Sequence, residues 1–294
     1  MARLSLIQRT DGIWVGQFEA MASPCEILAR CASKDLALRA LEAAKAEARR
    51  VEQKFSRYRD DSVVHQIHAS TGRPIELDDE TSGLLDLAAD CWEISEGAFD
   101  VTSGILRRAW QFKAGSRPPK QSEIDTLLPF VGWQRLSWQR PQLTLPLGME
   151  IDLGGLGKEY AVDRVSAELE TQPGSYLVNF GGDIRTTSLP EDQAQGWTVG
   201  IESPDADVPE VVELKRGALA TSGDTHRFVL DQGVRYGHVL DPRTGWPPSD
   251  APRTTTAHAE TCLEAGLFAT LAILQGARAE EFFREQGVPY WIIR

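Results

Sequence analysis

The amino-acid sequence predicts an α+β fold built as one mixed domain. Segments with helical spacing of apolar residues and segments with strand-like composition follow one another in mixed order, without the regular alternation of a doubly wound sheet. The 294 residues contain no repeat of fixed period, no low-complexity tract and no linker-like stretch. We therefore expect a single domain over residues 1–294, with a possible inserted lobe near residues 104–145.

The first part of the chain begins with strands and continues with helices. The composition of residues 12–29 predicts two strands. After Ser33, apolar residues at three- and four-residue spacing predict a helix that ends near Phe55, with Ser33 as its cap. A second helix is predicted over residues 81–96, and Gly97 is suited to end it as a C-terminal cap.

The rest of the chain mixes the two kinds of element again. Ser122 and Asp125 resemble the capping pair of a short helix. Residues 149–153 predict a strand that leads through a glycine turn into a helix over residues 158–169. The remaining predictions are strands at 176–180, 197–202, 211–215, 228–230, 234–240 and 290–293, and a helix over 259–274 that Gly276 ends.

Composition and charge exclude several classes of protein. Apolar residues make up 41% and charged residues 25%, which is ordinary for a globular protein with a sizeable core. The net charge of −12 argues against nucleic acid or an anionic membrane as the main partner. Four cysteines without a CxxC pair predict free thiols rather than a zinc site or a disulfide framework; they are Cys25, Cys31, Cys91 and Cys262.

The N-terminal residues carry no long apolar segment and no lipobox-like cysteine, so we expect no signal peptide. The longest apolar stretch, residues 265–274, is too short to span a bilayer. These observations predict a cytoplasmic protein without a transmembrane segment. A periplasmic chain from which a leader had been removed would look the same.

The segment over residues 152–158, DLGGLGK, carries the most chemical information. Its three glycines let the backbone approach a ligand closely, and the following helix would present free N–H groups to an anion such as a pyrophosphate. Lys158 would add a positive charge. The segment is not a Walker A loop, because Glu159 follows the lysine, and it is not a Rossmann loop, because Tyr160 replaces the last glycine. A plain strand–turn–helix corner explains the segment equally well.

Three more turns carry polar residues after predicted strands, at residues 179–183, 221–224 and 237–245. Each is also explained as a tight turn in which an aspartate satisfies local N–H groups. In the last of them, His238 and Asp241 are three residues apart before a proline. This spacing favours acid–base chemistry or phosphate contact at His238.

Other candidate side chains have simpler explanations. His65 and His68 could share a helix face, but no third histidine lies near them in the sequence, so we expect both to be solvated. Tyr58 is either a stacking aromatic or an ordinary surface residue. None of these residues decides the function by itself.

Seven segments resemble, in order and spacing, the motifs of the FAD:protein FMN transferase (ApbE) family. The resemblance covers nearly the whole chain, and several motifs in register are far more specific than one. The segments are Met21-Ala-Ser, Phe55-Ser-Arg-Tyr58 followed by Asp61-Ser62, GAFDVT from Gly97 with Trp110, IDLGGLGKEYAVD from Ile151, VNFGGDI from Val178, ATSGD from Ala220, and GHVLDPRTG from Gly237.

The resemblance implies an enzyme that cleaves FAD at its pyrophosphate and transfers FMN to a Thr or Ser hydroxyl of an acceptor protein, releasing AMP with the help of Mg²⁺. It implies that His238 lies near the reacting phosphates, and we add Asp241 as its catalytic companion. Mg²⁺ would be held near Gly155 and by the C-terminal helix at Ala269 and Thr270. The residues implied to line the FAD are Met21, Tyr58, Ala98, Phe99, Asp100, Asp152, Lys158 and Val239.

Two positions depart from the family pattern. Gly266 stands where the family's C-terminal helix carries an aspartate, and Glu159 stands where the family has a glycine after the lysine. Glu264 points away from the site on a helix and does not replace the aspartate. Loss of that carboxylate is expected to weaken Mg²⁺ binding by at least about tenfold. Glu159 is expected to disfavour phosphate unless it faces solvent.

These departures leave two alternatives open beside the transferase. One is a protein that binds FAD without transferring FMN, and the other is an FAD pyrophosphatase that uses water as the acceptor. An interaction module that binds no flavin fits the motifs least well.

Overall fold

The computed structural model describes residues 4–113, 115–189, 195–201, 210–225 and 227–294. The α-helices of this described part are α1 (Lys34–Phe55), α2 (Val63–Ala69), α3 (Asp79–Ile94), α4 (Gln121–Leu127), α5 (Gly154–Leu169), α6 (Cys262–Leu274) and α7 (Ala279–Gln286). Its strands are β1 (Ser5–Gln8), β2 (Trp14–Ala20), β3 (Ser23–Arg30), β4 (Ile75–Glu76), β5 (Ser137–Gln139), β6 (Gln142–Thr144), β7 (Ser175–Phe180), β8 (Asp183–Thr186), β9 (Trp197–Ile201), β10 (Glu210–Leu214), β11 (Ala218–Gly223), β12 (Phe228–Asp231), β13 (Val234–Gly237), β14 (Thr254–Ala259) and β15 (Tyr290–Ile293).

An eight-stranded sheet organises the fold. Its strand order is β1-β2-β3-β7-β8-β11-β14-β15, and every neighbouring pair is antiparallel. The described residues form three smaller sheets beside it: the strand pairs β9–β10 and β12–β13, and the three strands β4-β6-β5. Antiparallel pairing combined with separate helices is the arrangement of an α+β fold.

Side chains alternate between the two faces of the sheet. On β7, Val178 joins the main core beneath α1, α5 and α6, whereas its neighbour Leu177 joins a second core on the opposite face. Trp197 and Leu214 of the β9–β10 hairpin fill that second core. Helices α5 and α6 pack side by side on the face of the sheet that Val178 joins. This face carries the candidate site.

Part of the predicted inserted lobe has a small core of its own. Ile105, Leu106 and Val131 form a separate cluster of buried side chains, with Leu128 and Leu240 packed against it. Strand β6 of this region pairs with β4, which precedes α3 in the chain. The division into domains stays a prediction.

Several predicted elements agree closely with the structure. Ser33 caps α1, accepting a hydrogen bond from the N–H of Leu36 at 3.3 Å. The two strands predicted within residues 12–29 are β2 and β3. The four cysteines are free, as expected. In the described part of the chain, no helix is long and apolar enough to cross a membrane.

Residues 149–153 do not form the predicted strand. The main-chain nitrogen and oxygen of Ile151 lie 3.0 and 3.1 Å from Nε2 of His68, and the N–H of Asp152 donates to the carbonyl of Val101 at 2.7 Å. The His68 side chain and the 3₁₀ helix Val101–Arg108 therefore bond to this segment where a neighbouring strand would. The expectation that His68 is solvated is wrong, and burial lowers the pKa of its ring.

Helix boundaries differ from prediction where capping was misassigned. The short helix α4 follows Lys120, whose N–H donates to Glu123 at 2.7 Å, so the pair Ser122 and Asp125 is not its cap. Helix α6 begins at Cys262 after the cap Thr261, because the preceding residues belong to the unpredicted strand β14. Helix α5 begins at Gly154 rather than at the predicted Lys158.

One ion-pair network joins α1, α3 and α5. Glu80 accepts hydrogen bonds from Arg50 at 2.8 Å, Lys54 at 2.7 Å and the Tyr160 hydroxyl at 2.7 Å. Burial alone would raise the pKa of Glu80, but these three donors outweigh it and lower the pKa to about 2. The ionised carboxylate is therefore favoured in the folded chain.

This network predicts a loss of stability in acid. Because the folded pKa of Glu80 lies below its ordinary value of 4.5, its contribution is present above pH 4.5 and lost as the pH falls toward about 2. Urea unfolding at pH 7 and at pH 3 should show that Glu80→Gln reduces the difference between the two free energies of unfolding. The exposed Glu93 of α3 provides the control Glu93→Gln. Equal pH dependence in the two variants would contradict the assignment.

Candidate active site at the start of helix α5

The first turn of α5 contains the glycines of the DLGGLGK segment and receives two predicted FAD residues. A Cβ placed on Gly155 would lie 3.7 Å from the ring of Phe99, and one on Gly157 would lie 3.9 Å from the terminal methyl of Met21. Met21 sits in the tight turn between β2 and β3 with a positive φ of 54°. Three distant segments of the chain thus meet at one helix start, where free N–H groups favour an anion.

Asp152 is held in place immediately before this helix. Its carboxylate accepts a hydrogen bond from the N–H of Gly154 at 2.9 Å and forms an ion pair with Arg57. Arg57 also donates to the Tyr58 hydroxyl at 2.6 Å, and Tyr58 is 79% exposed. Arg57 connects the two predicted FAD residues. It lies inside the FSRY segment, but its role is not predicted from the sequence.

Ala98 and Asp100 are buried in the loop that follows α3. The Asp100 carboxylate accepts hydrogen bonds from the N–H of Thr102 at 2.7 Å, from the Thr102 hydroxyl at 2.6 Å and from the N–H of Trp133 at 2.8 Å. These bonds fix the loop that carries Phe99. A direct contact of Asp100 with FAD stays a prediction, as does that of the half-buried Val239.

Lys158 pairs with Asp183, which begins β8 and is almost completely buried. Burial would lower the pKa of Lys158, but the charges of Asp183 and Glu159 and the hydrogen bond to Asp183 outweigh it and raise the pKa. Lys158 is therefore a permanent cation beside the start of α5. The sequence around Asp183 is also explained as a tight turn and does not predict this pair.

Glu159 points toward α6 rather than toward solvent. A Cβ on Gly266 would lie 2.8 Å from Cγ of Glu159 and 3.0 Å from its Oε1. Oε2 of Glu159 is buried and accepts no hydrogen bond from the described residues. Burial, followed by the nearby charge of Asp183, raises the pKa of Glu159 to about 8.

His238 follows β13 and is half-buried. Its Nδ1 is inaccessible to water and has no hydrogen-bond partner among the described residues. Burial and then the charge of Arg227 lower the pKa of His238, so the neutral imidazole prevails at pH 7. The charge of Lys158 also reaches this ring, which connects His238 with the start of α5.

An aromatic cluster borders His238 and consists of Trp110, Phe112, Tyr236 and Trp246. The Phe112 ring lies edge-on to His238 with centroids 6.3 Å apart, and it stacks on Trp110 at 5.3 Å. The indole N–H of Trp110 donates to the carbonyl of Gly245 at 2.8 Å, which anchors the GHVLDPRTG turn. The cluster shields the imidazole from water on that side.

Asp241 has a different environment from the one expected of a catalytic partner. Its carboxylate accepts hydrogen bonds from the main-chain N–H of Arg243 at 2.9 Å and from two guanidinium nitrogens of Arg243 at 2.9 and 2.8 Å. Its carbonyl closes the turn by accepting from the N–H of Gly245 at 2.8 Å. These bonds stabilise the turn after His238. The catalytic role of Asp241 stays a prediction.

Asp224 is the carboxylate whose charge acts on His238. Its Oδ2 accepts from Nε of Arg235 at 2.7 Å, and its buried Oδ1 has no hydrogen-bond partner among the described residues. A Cβ on Gly237 would lie 3.2 Å from that of Asp224, so the two segments touch. Asp224 lies in the ATSGD segment, but only the fold brings it next to the histidine.

The predicted metal positions on α6 present oxygen atoms. The carbonyl of Ala269 accepts a hydrogen bond from the Thr255 hydroxyl at 2.7 Å, and the Thr270 hydroxyl lies 3.4 Å from that of Ser222. The described residues include no cluster of three His, Cys, Asp or Glu side chains suited to a metal. Mg²⁺ needs few protein ligands when phosphate oxygens and water complete its shell, so oxygen donors and the unpartnered Glu159 are compatible with it.

Comparison with known proteins identifies the family. The sequence profile of the ApbE family matches residues 21–292, which is nearly the whole chain. The chain belongs to the ApbE family. Among its relatives, the FAD:protein FMN transferase of Vibrio cholerae serotype O1 is 31% identical over 235 residues, covering 77% of this chain and 70% of the relative. That of Haemophilus influenzae is 29% identical over 259 residues, covering 83% and 75%.

Solved ApbE structures share the fold. The ApbE protein of Thermotoga maritima superposes with a TM-score of 0.84 at 29% identity, covering 99% of this chain and 94% of that one. The flavin transferase ApbE from Vibrio cholerae superposes with a TM-score of 0.81 at 25% identity, with 99% and 94% coverage. The predicted α+β fold of the ApbE type is therefore confirmed. Within this ApbE chain, Met21, Phe99 and Asp152, which come from separate motifs, lie at the start of α5.

Proposed function

We infer that this chain is an FAD:protein FMN transferase. The conclusion agrees with the names of its ApbE relatives. One observation carries it: Met21 and Phe99 meet at the start of α5, where Lys158 is a permanent cation whose charge acts on the neutral ring of His238. A cation and a proton acceptor on the same site suit cleavage of a pyrophosphate by a hydroxyl group.

The substrates follow from the reaction. FAD supplies the FMN group, and an acceptor protein supplies a Thr or Ser hydroxyl. The hydroxyl oxygen forms a bond to the FMN phosphorus while the bond from that phosphorus to the oxygen of the AMP phosphate breaks. AMP leaves with that oxygen, and the acceptor retains FMN through a phosphoester.

Individual residues have distinct tasks in this scheme. His238 accepts the hydroxyl proton through its neutral imidazole. Lys158 and the N–H groups of α5 orient the pyrophosphate and offset its negative charge. Met21 and Phe99 position the flavin nucleotide against the first turn of α5. Mg²⁺, when bound near Gly155, Ala269 and Thr270, would supply further charge neutralisation.

A direct assay tests the function. The protein is incubated with FAD, Mg²⁺ and a Thr- or Ser-containing acceptor domain, and the acceptor is analysed by mass spectrometry while AMP is quantified. We expect the acceptor to gain the mass of an FMN phosphoester, with one AMP released per modification. AMP and free FMN without modified acceptor would instead indicate a pyrophosphatase. Bound FAD without AMP would indicate a flavin-binding protein, and either outcome would overturn the proposal.

A further inference from the structure

The two departures from the family pattern occupy one place in the fold. Glu159 belongs to α5 and Gly266 to α6, and a Cβ on Gly266 would lie 2.8 Å from Cγ of Glu159. Real Cβ atoms essentially never approach another heavy atom so closely. A longer side chain at position 266 would therefore need the space that Glu159 fills. The lost carboxylate and the gained carboxylate are spatial alternatives.

The packing of α5 against α6 shows where the Glu159 carboxylate lies along the helices. The Asp163 carboxylate accepts hydrogen bonds from the N–H groups of Cys262 at 2.8 Å and Leu263 at 3.0 Å. Glu159 is one turn before Asp163, and Gly266 is one turn after Cys262, so the two helices run antiparallel. One turn further along this contact come Gly155 on α5 and Thr270 on α6, the positions predicted to hold Mg²⁺.

The buried carboxylate oxygen of Glu159 also indicates a ligand. Its Oε2 is buried without a hydrogen-bond partner among the described residues, although buried carboxylate oxygens are normally paired. Lys158, the adjacent cation, directs its ammonium group to Asp183. Gly266 has no side chain with which to bind Glu159. An oxygen-seeking cation between α5 and α6 would satisfy the unpartnered oxygen.

We propose that Glu159 supplies the carboxylate ligand for Mg²⁺ from α5, in place of the aspartate that the family pattern puts on α6. This inference rests on the proposed function, because it assigns the metal of that reaction. Mg²⁺ would then take one carboxylate oxygen from Glu159 and the hydroxyl oxygen of Thr270, while phosphate oxygens of FAD and water complete its shell. The weakening of Mg²⁺ expected from Gly266 alone would not occur.

Metal binding, measured apart from activity, tests the proposal. Mn²⁺ is titrated into the metal-free protein with FAD present and acceptor absent, and free Mn²⁺ is followed by electron paramagnetic resonance. A titration of Mn²⁺ into FAD without protein gives the amount of Mn²⁺ that the nucleotide itself binds. We expect Glu159→Gln to raise the Mn²⁺ dissociation constant by at least about tenfold. The control Glu168→Gln, an exposed change on the same helix, should leave the dissociation constant unchanged.

A second variant separates ligation from a general effect on folding. Glu159→Gly/Gly266→Asp moves the carboxylate back to α6 and should bind Mn²⁺ within about threefold of the unaltered protein. The proposal is overturned if the unaltered protein binds no Mn²⁺, if Glu159→Gln binds it equally well, or if the double variant loses it. FAD affinity without metal, measured by flavin fluorescence, and AMP release are recorded in parallel. Transfer activity with a metal affinity insensitive to Glu159 would overturn this proposal alone, whereas absence of FAD binding or transfer would overturn the proposed function.

Discussion

Replacing His238 by glutamine should lower the rate of FMN transfer by about 10²–10⁴-fold, the usual contribution of a positioned acid–base group. Glutamine keeps a polar side chain of similar length but cannot accept the proton of the acceptor hydroxyl. Because the proposed FAD site lies mainly at the start of α5, the dissociation constant of FAD should change little. Stopped assays of AMP release and flavin fluorescence titrations measure the two quantities. A rate within about threefold of the unaltered protein would exclude His238 as the proton acceptor.

The pH dependence provides a second check on His238. Burial and the charge of Arg227 lower the pKa of this imidazole, so the neutral form that accepts a proton persists at pH 7 and is lost as the pH falls through the depressed pKa. Transfer by the unaltered protein should therefore decrease on the acid side of the ordinary histidine pKa. The control His65→Gln changes an exposed histidine of α2 and should retain both the rate and the profile. A profile without this acid limb would contradict the role.

Replacing Lys158 by methionine should destabilise the fold by about 3–5 kcal/mol, the usual cost of removing one partner from a buried ion pair. Methionine approximates the volume of the lysine stem but leaves Asp183, of which only 3% of the side chain is exposed, without its cation. FAD affinity should fall as well, because the pyrophosphate loses an opposing charge. Urea unfolding followed by circular dichroism measures the stability change.

A double-mutant cycle distinguishes the ion pair from simple packing. Lys158→Met/Asp183→Asn removes both charges, so its free energy of unfolding should exceed that of Lys158→Met although one more residue is altered. FAD affinity should remain low in both, since neither contains the cation. Lys34→Met, at the exposed start of α1, is the matched control. If Lys158→Met reduces the free energy of unfolding no more than the control does, the ion pair contributes nothing to stability.

The sequence predicted those parts of the structure that depend on neighbours along the chain. The cap and periodicity near Ser33 placed α1 correctly. The resemblance implied that Met21 and Phe99 line the FAD, but only the fold shows that both lie at the start of α5. The start of α5 was misplaced because glycine is a poor helix former. In the structure, main-chain bonds such as that from the N–H of Gly157 to the carbonyl of Leu153 form a helix there nevertheless.

The remaining errors concern contacts between distant segments. No third histidine lies near His65 and His68 in the sequence, and only the fold brings His68 to the main chain of Ile151. Glu159 was expected to disfavour phosphate unless it faced solvent. Its position opposite Gly266 was not foreseen, because it depends on how two helices pack. Hydrophobic periodicity shows which face of a helix is buried, but it does not specify the residue across the interface.

The close approach of α5 and α6 constrains how this chain can exchange parts with its relatives. A chimera that received α6 with an aspartate at position 266 while keeping Glu159 would force two acidic side chains into one volume. The reverse chimera, with glycine at both positions, would leave that volume without a carboxylate. A single substitution at either position therefore gives a disfavoured protein, whichever of the two positions changes first. Positions 159 and 266 are expected to be inherited as a unit.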